Sequence, residues 1–191
     1  MRNAFHIHLG RYPLSVGLQY GIITPTMDAA LNNQETTIAD VLHDNGYINY
    51  MIGKWHLGAS SVCDLPTARG FDYHWGYLSG QVDYWSKLHP TYRKFKDMTY
   101  ADKDCCYSYN AQDSTTYSTF LYRDKAVDII ETHDYSKNPM FLYLSLQAVH
   151  NPWIDDNGTY DAGIPESYVG SDVFNKIAAT FQVSHCELTS T

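Results

Sequence analysis

The residues best suited to chemistry in this sequence are a lysine and two histidines, and each follows an apolar run. Lys54 and His56 lie in the segment Gly-Lys-Trp-His-Leu-Gly at 53–58, and His150 lies in Gln-Ala-Val-His-Asn-Pro. A lysine supplies a fixed positive charge and three hydrogen-bond donors, and an imidazole donates to an oxygen or transfers a proton. With glycines that allow close approach, these groups suit a tetrahedral oxyanion, with His150 placed as a general acid toward a leaving-group oxygen.

Each of these residues also has a simpler interpretation. A single Lys-x-His pair is more often a coincidence at a surface or strand edge than a site, although the glycines around Lys54 and His56 favour a site. His150 precedes Asn-Pro and could equally be a turn residue whose ring satisfies a backbone carbonyl. His6 and His8 have metal-compatible spacing, but no second pair of ligands lies near them in the sequence, so chance explains them better.

A helix followed by a strand is predicted directly before Lys54. Residues 36–43 predict the helix, because a threonine cap and Asp40 mark its start. Its apolar residues fall on one face and are Ile38, Val41 and Leu42. Asn-Gly at 45–46 ends the helix, and the aromatic and β-branched run at 47–52 predicts the strand.

A second unit of the same kind precedes His150. Apolar residues recur at near-helical spacing over 119–132, and 141–144 predicts a second buried strand. The pattern over 173–181 is compatible with a third helix. Two helix-then-strand units predict an α/β fold with a mainly parallel sheet flanked by helices.

The predicted sheet would bring the chemical residues together. Ligands of open α/β sheets bind outside the carboxyl ends of the strands, so Lys54, His56 and His150 are expected to converge on one edge. Residues i and i+2 of a strand point to the same side, which predicts that Lys54 and His56 share a face.

Length and composition limit the number of domains and the kinds of partner that the chain can have. The 191 residues fit one domain or part of one, and 44% hydrophobic residues are enough for a sizeable core. The net charge of −8 argues against a nucleic-acid or anionic-membrane partner. No apolar run is long enough to predict a membrane span, and residues 1–9 do not predict a signal peptide. Asn157 stands in an Asn-Gly-Thr sequon and is a candidate for glycosylation.

Several motifs in the sequence resemble those of the type I sulfatases, and of arylsulfatase B-like members in particular. The segment at 52–58, preceded by Gly-Tyr at 46–47, resembles the second signature of that family. Further similar segments follow in collinear order and lie at 10–13, 17–19, 63–72, 76–80, 83–85 and 141–152. The resemblance covers residues 10–168, is weak over 169–191 and is absent over 1–9. It implies a partial sulfatase catalytic domain, an alkaline-phosphatase-like sandwich expected to be truncated at both ends.

The resemblance assigns a role to each residue of the candidate site. It implies that Lys54 binds the sulfate group, that His56 supports a formylglycine nucleophile and that His150 contacts the sulfate near the leaving group. By the same resemblance, the family hydrolyses aryl or glycosaminoglycan sulfate esters, with a formylglycine made from cysteine and with calcium. It also implies a lysosomal or secreted glycoprotein.

The sequence departs from this family at the nucleophile. The expected Cys-x-Pro-Ser-Arg motif would place its cysteine immediately before Met1, and the calcium-binding carboxylates would also fall outside residues 1–191. We therefore expect the 191 residues alone to be inactive, as an internal piece of a sulfatase catalytic domain. The alternatives are a non-catalytic chain that binds sulfate or a sulfated sugar, and a fragment that does not fold alone.

Overall fold

The structure is a computed structural model that describes residues 7–17, 19, 21–91, 96–102, 108–109, 116–148 and 150. All of these residues belong to one compact unit, Met1–Pro152. The strands are β1 (Ile48–Lys54), β2 (Tyr73–Tyr77), β3 (Thr99–Asp102), β4 (Ser108–Tyr109) and β5 (Met140–Ser145). The α-helices are α1 (Ile38–Asp44) and α2 (Ser118–Thr132), and short 3-10 helices span Pro13–Val16, Val62–Asp64 and Pro66–Ala68.

The five strands form one sheet in the order β4-β3-β2-β1-β5. The central strand β1 is parallel to both of its neighbours, β2 and β5, whereas β3 is antiparallel to β2 and to β4. The predicted mainly parallel sheet with flanking helices is therefore confirmed around β1. Because β1, β2 and β5 run in the same direction, their carboxyl ends meet at one edge of the sheet.

The helix α1 begins where the sequence predicts. Thr37 and Asp40 form a reciprocal capping box, in which Thr37 Oγ1 accepts from the Asp40 N–H and the Asp40 carboxylate accepts from the Thr37 N–H. The buried face differs from the prediction, because Ile38 and Val41 are 42% and 50% exposed. The helix instead turns the small residue Ala39 toward the sheet, where its carbonyl accepts from the Asn49 side chain at 2.7 Å.

The second predicted helix and strand are also present. Helix α2 covers the expected range, and its buried side chains include Tyr122 and Ile129. The prediction of a buried second strand is wrong for β5: Leu144 is 41% exposed, and most of the strand is only partly buried. Within the described sheet β5 pairs only with β1, so one of its edges lacks a strand neighbour among these residues. The possible helix at 173–181 lies outside the described residues.

Neighbouring residues of β1 are buried in two different apolar clusters, one on each face of the sheet. Met51 belongs to a cluster that includes Trp55 and Phe71, and Ile52 belongs to one that includes Tyr77 and Tyr122. Successive strand residues point to opposite faces, so β1 is covered on both sides. Within the described ranges, no helix is long and apolar enough to cross a membrane.

Candidate functional site

Lys54 ends β1 at the carboxyl edge of the sheet. Its side chain is partly buried, and burial lowers its pKa to about 8. No carboxylate or hydrogen-bond acceptor among the described residues bonds its Nζ. The preceding Gly53 has φ +97°, and a Cβ atom there would lie 2.1 Å from the Ser145 carbonyl oxygen. Glycine therefore permits the close approach of β5 to β1 just before this unpaired cation.

His56 lies beyond the end of β1, in a left-handed backbone conformation with φ +57°. The prediction that Lys54 and His56 share a strand face is therefore wrong, because the alternation of a strand ends at Lys54. The His56 N–H donates instead to the Leu78 carbonyl at 3.1 Å. This bond joins the exit of β1 to the exit of β2.

The His56 ring is buried and neutral. Its Nε2 lies 3.2 Å from the Ile23 carbonyl oxygen, and since a carbonyl only accepts, Nε2 carries the hydrogen. The pKa of the ring falls to about 3, mainly because of burial and also because of the charges of Lys54 and His150. The buried Nδ1 has no partner among the described residues, so it is an acceptor available to another group.

His150 belongs to the turn after β5, and its side chain is exposed. Its N–H donates to the Gln147 carbonyl at 2.8 Å, and its own carbonyl accepts from the Tyr84 hydroxyl at 2.7 Å. Its backbone thus takes part in a turn, as the simpler interpretation proposed. Because Lys54 and His150 both act on the pKa of His56, each of them lies within electrostatic reach of the His56 ring.

Four residues that support this arrangement were not singled out from the sequence. Gly80 belongs to the loop that contacts the His56 ring, and the Asp97 carboxylate accepts from backbone amides of that loop. Tyr84 and Gln147 contact the turn of His150 or its neighbourhood, with the Tyr84 hydroxyl donating to the His150 carbonyl and the Gln147 amide donating to the Val82 carbonyl. Gly80 and Tyr84 belong to segments that resemble the family, which was an available signal. Asp97 lies in a polar stretch and carries no such signal.

The remaining sequence candidates do not join the site. His8 is 1% exposed and packs edge-on against the rings of Trp55, Phe71 and Tyr143, so it is a core residue. His6 and Asn157 lie outside the described residues.

The described part of the chain does not fit calcium. It contains no group of three or more His, Cys, Asp or Glu side chains that could hold a metal. Calcium takes six to eight oxygen ligands, whereas the candidate site presents an ammonium group and two imidazoles. The sequence also contains no Cys-x-Pro-Ser-Arg motif, and the described Cys63 is an exposed free thiol.

Known proteins resemble the chain over most of its length. Arylsulfatase J of Mus musculus is 38% identical over 146 residues, which are 75% of this chain and 23% of the relative. N-acetylgalactosamine-6-sulfatase of Mus musculus is 31% identical over 124 residues, which are 63% of this chain and 23% of the relative. The chain thus spans about a quarter of the length of these curated relatives.

A solved structure shows the same fold. The crystal structure of Ps i-CgsB in complex with k-i-k-neocarrahexaose superposes with a TM-score of 0.66 and 26% identity, covering 82% of this chain and 36% of that one. The sequence model of the family described as Sulfatase matches residues 5–182, which is most of the chain. The chain therefore belongs to the sulfatase family.

Proposed function

We propose that the protein is a sulfuric ester hydrolase of the arylsulfatase B-like type, which acts on aryl or glycosaminoglycan sulfate esters. The observation that carries the proposal is Lys54, a partly buried cation for which the described residues provide no carboxylate. Burying a charge without a partner is costly, so such a position is expected to receive an anion from outside the chain. Sulfate is the anion that membership of the sulfatase family supports.

Each residue of the site then has one role. Lys54 binds a sulfate oxygen through its ammonium group. His150, on the exposed turn after β5, contacts the sulfate and donates a proton to the leaving-group oxygen. The neutral His56 offers Nδ1 as an acceptor to a hydroxyl of the nucleophile, which the family resemblance identifies as formylglycine. Formylglycine and calcium are expected for the complete family domain, although the described residues fit neither.

The names of the relatives support the substrate class. Two curated relatives are an arylsulfatase and an N-acetylgalactosamine-6-sulfatase, and the similar crystal structure holds an oligosaccharide. We propose a sulfate ester or sulfated glycan as substrate, and a lysosomal or secreted protein in which Asn157 is glycosylated. Residues 1–191 would then be part of one sulfatase catalytic domain.

The 191 residues tested alone are expected to bind sulfate without turning over an ester. Loss of a covalent nucleophile removes orders of magnitude of rate, and these residues contain no Cys-x-Pro-Ser-Arg motif. A non-catalytic role in binding sulfate or a sulfated sugar is therefore the second candidate function. The same unpaired Lys54 supports it.

The proposal is tested by titrating sodium sulfate into the chain in a calorimeter. Lys54→Met removes the charge and keeps a side chain of similar length. Since a hydrogen bond to a charged group contributes about 1.5–3 kcal/mol, the dissociation constant should rise roughly 10- to 150-fold. The matched control is Lys137→Met, because the exposed Lys137 already pairs with Asp134 at 2.8 Å.

Three results would contradict the assignments. Absence of binding heat for the unsubstituted chain, or equal loss in Lys54→Met and Lys137→Met, would remove Lys54 as the sulfate-binding residue. If the unsubstituted chain hydrolyses a chromogenic aryl sulfate in the presence of calcium, and Lys54→Ala abolishes this turnover, the expected inactivity is contradicted. The enzyme function would then be assigned to these 191 residues themselves.

A further inference from the structure

The ring of His56 is packed against the loop that follows β2. A Cβ atom added to Gly80 would lie 2.6 Å from Cε1 and 2.7 Å from Nε2 of this ring. Carbon atoms in favourable contact are about 3.5 Å apart or more, so no larger residue fits at Gly80 unless the ring or the loop moves. The loop at 78–80 therefore limits where the ring can lie.

This loop is held by a buried carboxylate. Asp97 is 1% exposed, and its two oxygens accept from successive backbone amides, Leu78 N–H at 2.9 Å and Ser79 N–H at 2.7 Å. Hydrogen bonds to a carboxylate are stronger than those between neutral groups. Leu78 also accepts the N–H of His56 through its carbonyl, so one residue links the carboxylate to the histidine.

We infer that Asp97 is a positioning residue of the candidate site, which fixes the His56 ring through the loop at 78–80. The function of the positioned ring rests on the proposed function. Asp97 is linked to the ring through the loop, because its carboxylate accepts from two backbone amides there. Both oxygens are engaged by adjacent residues, so the carboxylate holds two successive amides of the loop.

The side chain of Asp97 can be tested separately from its backbone. The Asp97 N–H donates to the Lys87 carbonyl at 3.2 Å, and this bond does not depend on the carboxylate. Asp97→Asn keeps the shape but replaces one acceptor oxygen by an NH₂ group, which cannot accept from a backbone N–H. One of the two loop amides would then lose its partner.

The test is NMR of the full chain with labelled histidine and glycine. In Asp97→Asn we expect the His56 ring signals and the Gly80 Hα signals to shift, because the ring moves relative to the loop. A loosened loop admits water, so the pKa of His56 should rise from about 3 toward its ordinary 6.5. The matched control is Asp72→Asn, which weakens a bond from the Asn49 N–H at the other end of β1 and should leave both signals unchanged.

Unchanged His56 and Gly80 signals in folded Asp97→Asn would overturn the inference. If that variant does not fold, Gly80→Ala decides, because its added methyl group presses on the ring directly. Unchanged His56 signals in Gly80→Ala would also overturn it. Sodium sulfate titrations separate this result from the proposed function. If the chain binds no sulfate but Asp97→Asn still shifts the His56 signals, the positioning role of Asp97 stands and the sulfate site is rejected.

Discussion

Two buried histidines of this chain differ in what surrounds them. His8 and His56 are 1% and 3% exposed, and burial is the main reason that their pKa values fall to about 4 and about 3. Neither ring nitrogen of His8 has a hydrogen-bond partner among the described residues, and three aromatic rings enclose it. His56 instead bonds to a backbone carbonyl and lies within the influence of Lys54 and His150.

This difference shows that a lowered pKa alone does not identify a functional histidine. Burial disfavours the charged form wherever it occurs. His56 combines burial with a tautomer fixed by the Ile23 carbonyl and with the nearby charges of Lys54 and His150. His8 also lies near a positive charge, that of Arg69, but no hydrogen bond to a described residue fixes its tautomer, as expected for a polar residue in an apolar core.

The largest expected effect is the contribution of His8 to the loss of folding stability in acid. Between pH 6.5 and about 4, the unfolded chain binds a proton at this ring while the folded chain does not, so the stability falls as the pH is lowered through that window. At about 1.4 kcal/mol per pH unit, the free energy of unfolding falls by roughly 3 kcal/mol across this window. Urea unfolding across the window should show His8→Leu to be less acid-sensitive than the unsubstituted chain.

The control for this experiment is Phe71→Leu, which alters the same apolar cluster beside His8 without removing a titratable group. It should lower the stability at every pH and keep the pH dependence of the unsubstituted chain. If His8→Leu also keeps that dependence, the ring of His8 does not contribute to the acid sensitivity.

The next effect concerns the charge at the site. Because the pKa of Lys54 is lowered to about 8, its charge is present below that pH and is lost as the pH rises through it. The affinity for sodium sulfate should therefore fall about tenfold per pH unit well above this pKa. In Lys54→Arg the guanidinium stays charged, so the affinity should be independent of pH over the same range. A flat profile in the unsubstituted chain would contradict the assignment of Lys54.

A smaller effect is expected at the turn of His150. Tyr84→Phe removes the hydroxyl that donates to the His150 carbonyl, and a bond of this kind contributes about 1 kcal/mol. Chemical unfolding should show this loss, and the NMR signals of His150 should shift while those of His56 do not. Tyr135→Phe is the control, since its exposed hydroxyl makes weak bonds, at 3.3 Å to the Ile130 carbonyl and 4.0 Å to Met140 Sδ. Equal losses in the two variants would remove the special role of Tyr84.

The parts of the fold that the sequence predicts are those with local causes. The capping box at Thr37 and Asp40 and the Asn-Gly helix end lie within a few residues of the helix that they define, and Gly46 has the expected positive φ of 82°. The strand β1 follows from its own apolar and aromatic composition. The parallel pairing of β1 with β5 places Lys54 and the turn of His150 at the carboxyl edge of the same sheet.

The parts that were missed depend on distant residues. Asp97 bonds to an amide 19 residues away, and Tyr84 bonds to a carbonyl 66 residues away, so neither has a local pattern. The strands β2 and β3 were not predicted, and the exposure of Ile38 on α1 depends on how the helix packs. The expectation that Lys54 and His56 share a face failed because β1 ends at Lys54 and His56 has a left-handed backbone, which is uncommon for a residue other than glycine.

The left-handed backbone at His56 has a consequence for laboratory evolution. An L-residue other than glycine in this conformation costs the fold about 1–2 kcal/mol. His56→Gly removes this cost, but it also leaves a cavity in place of a buried ring and breaks the bond to the Ile23 carbonyl. A library screened only for heat resistance should therefore select at residue 56 whichever side chain best balances strain against packing, whereas a library screened for retention on an immobilised sulfate ester should keep the histidine. The two populations would diverge at this position, which would make residue 56 an indicator of whether selection acted on the fold or on the ligand.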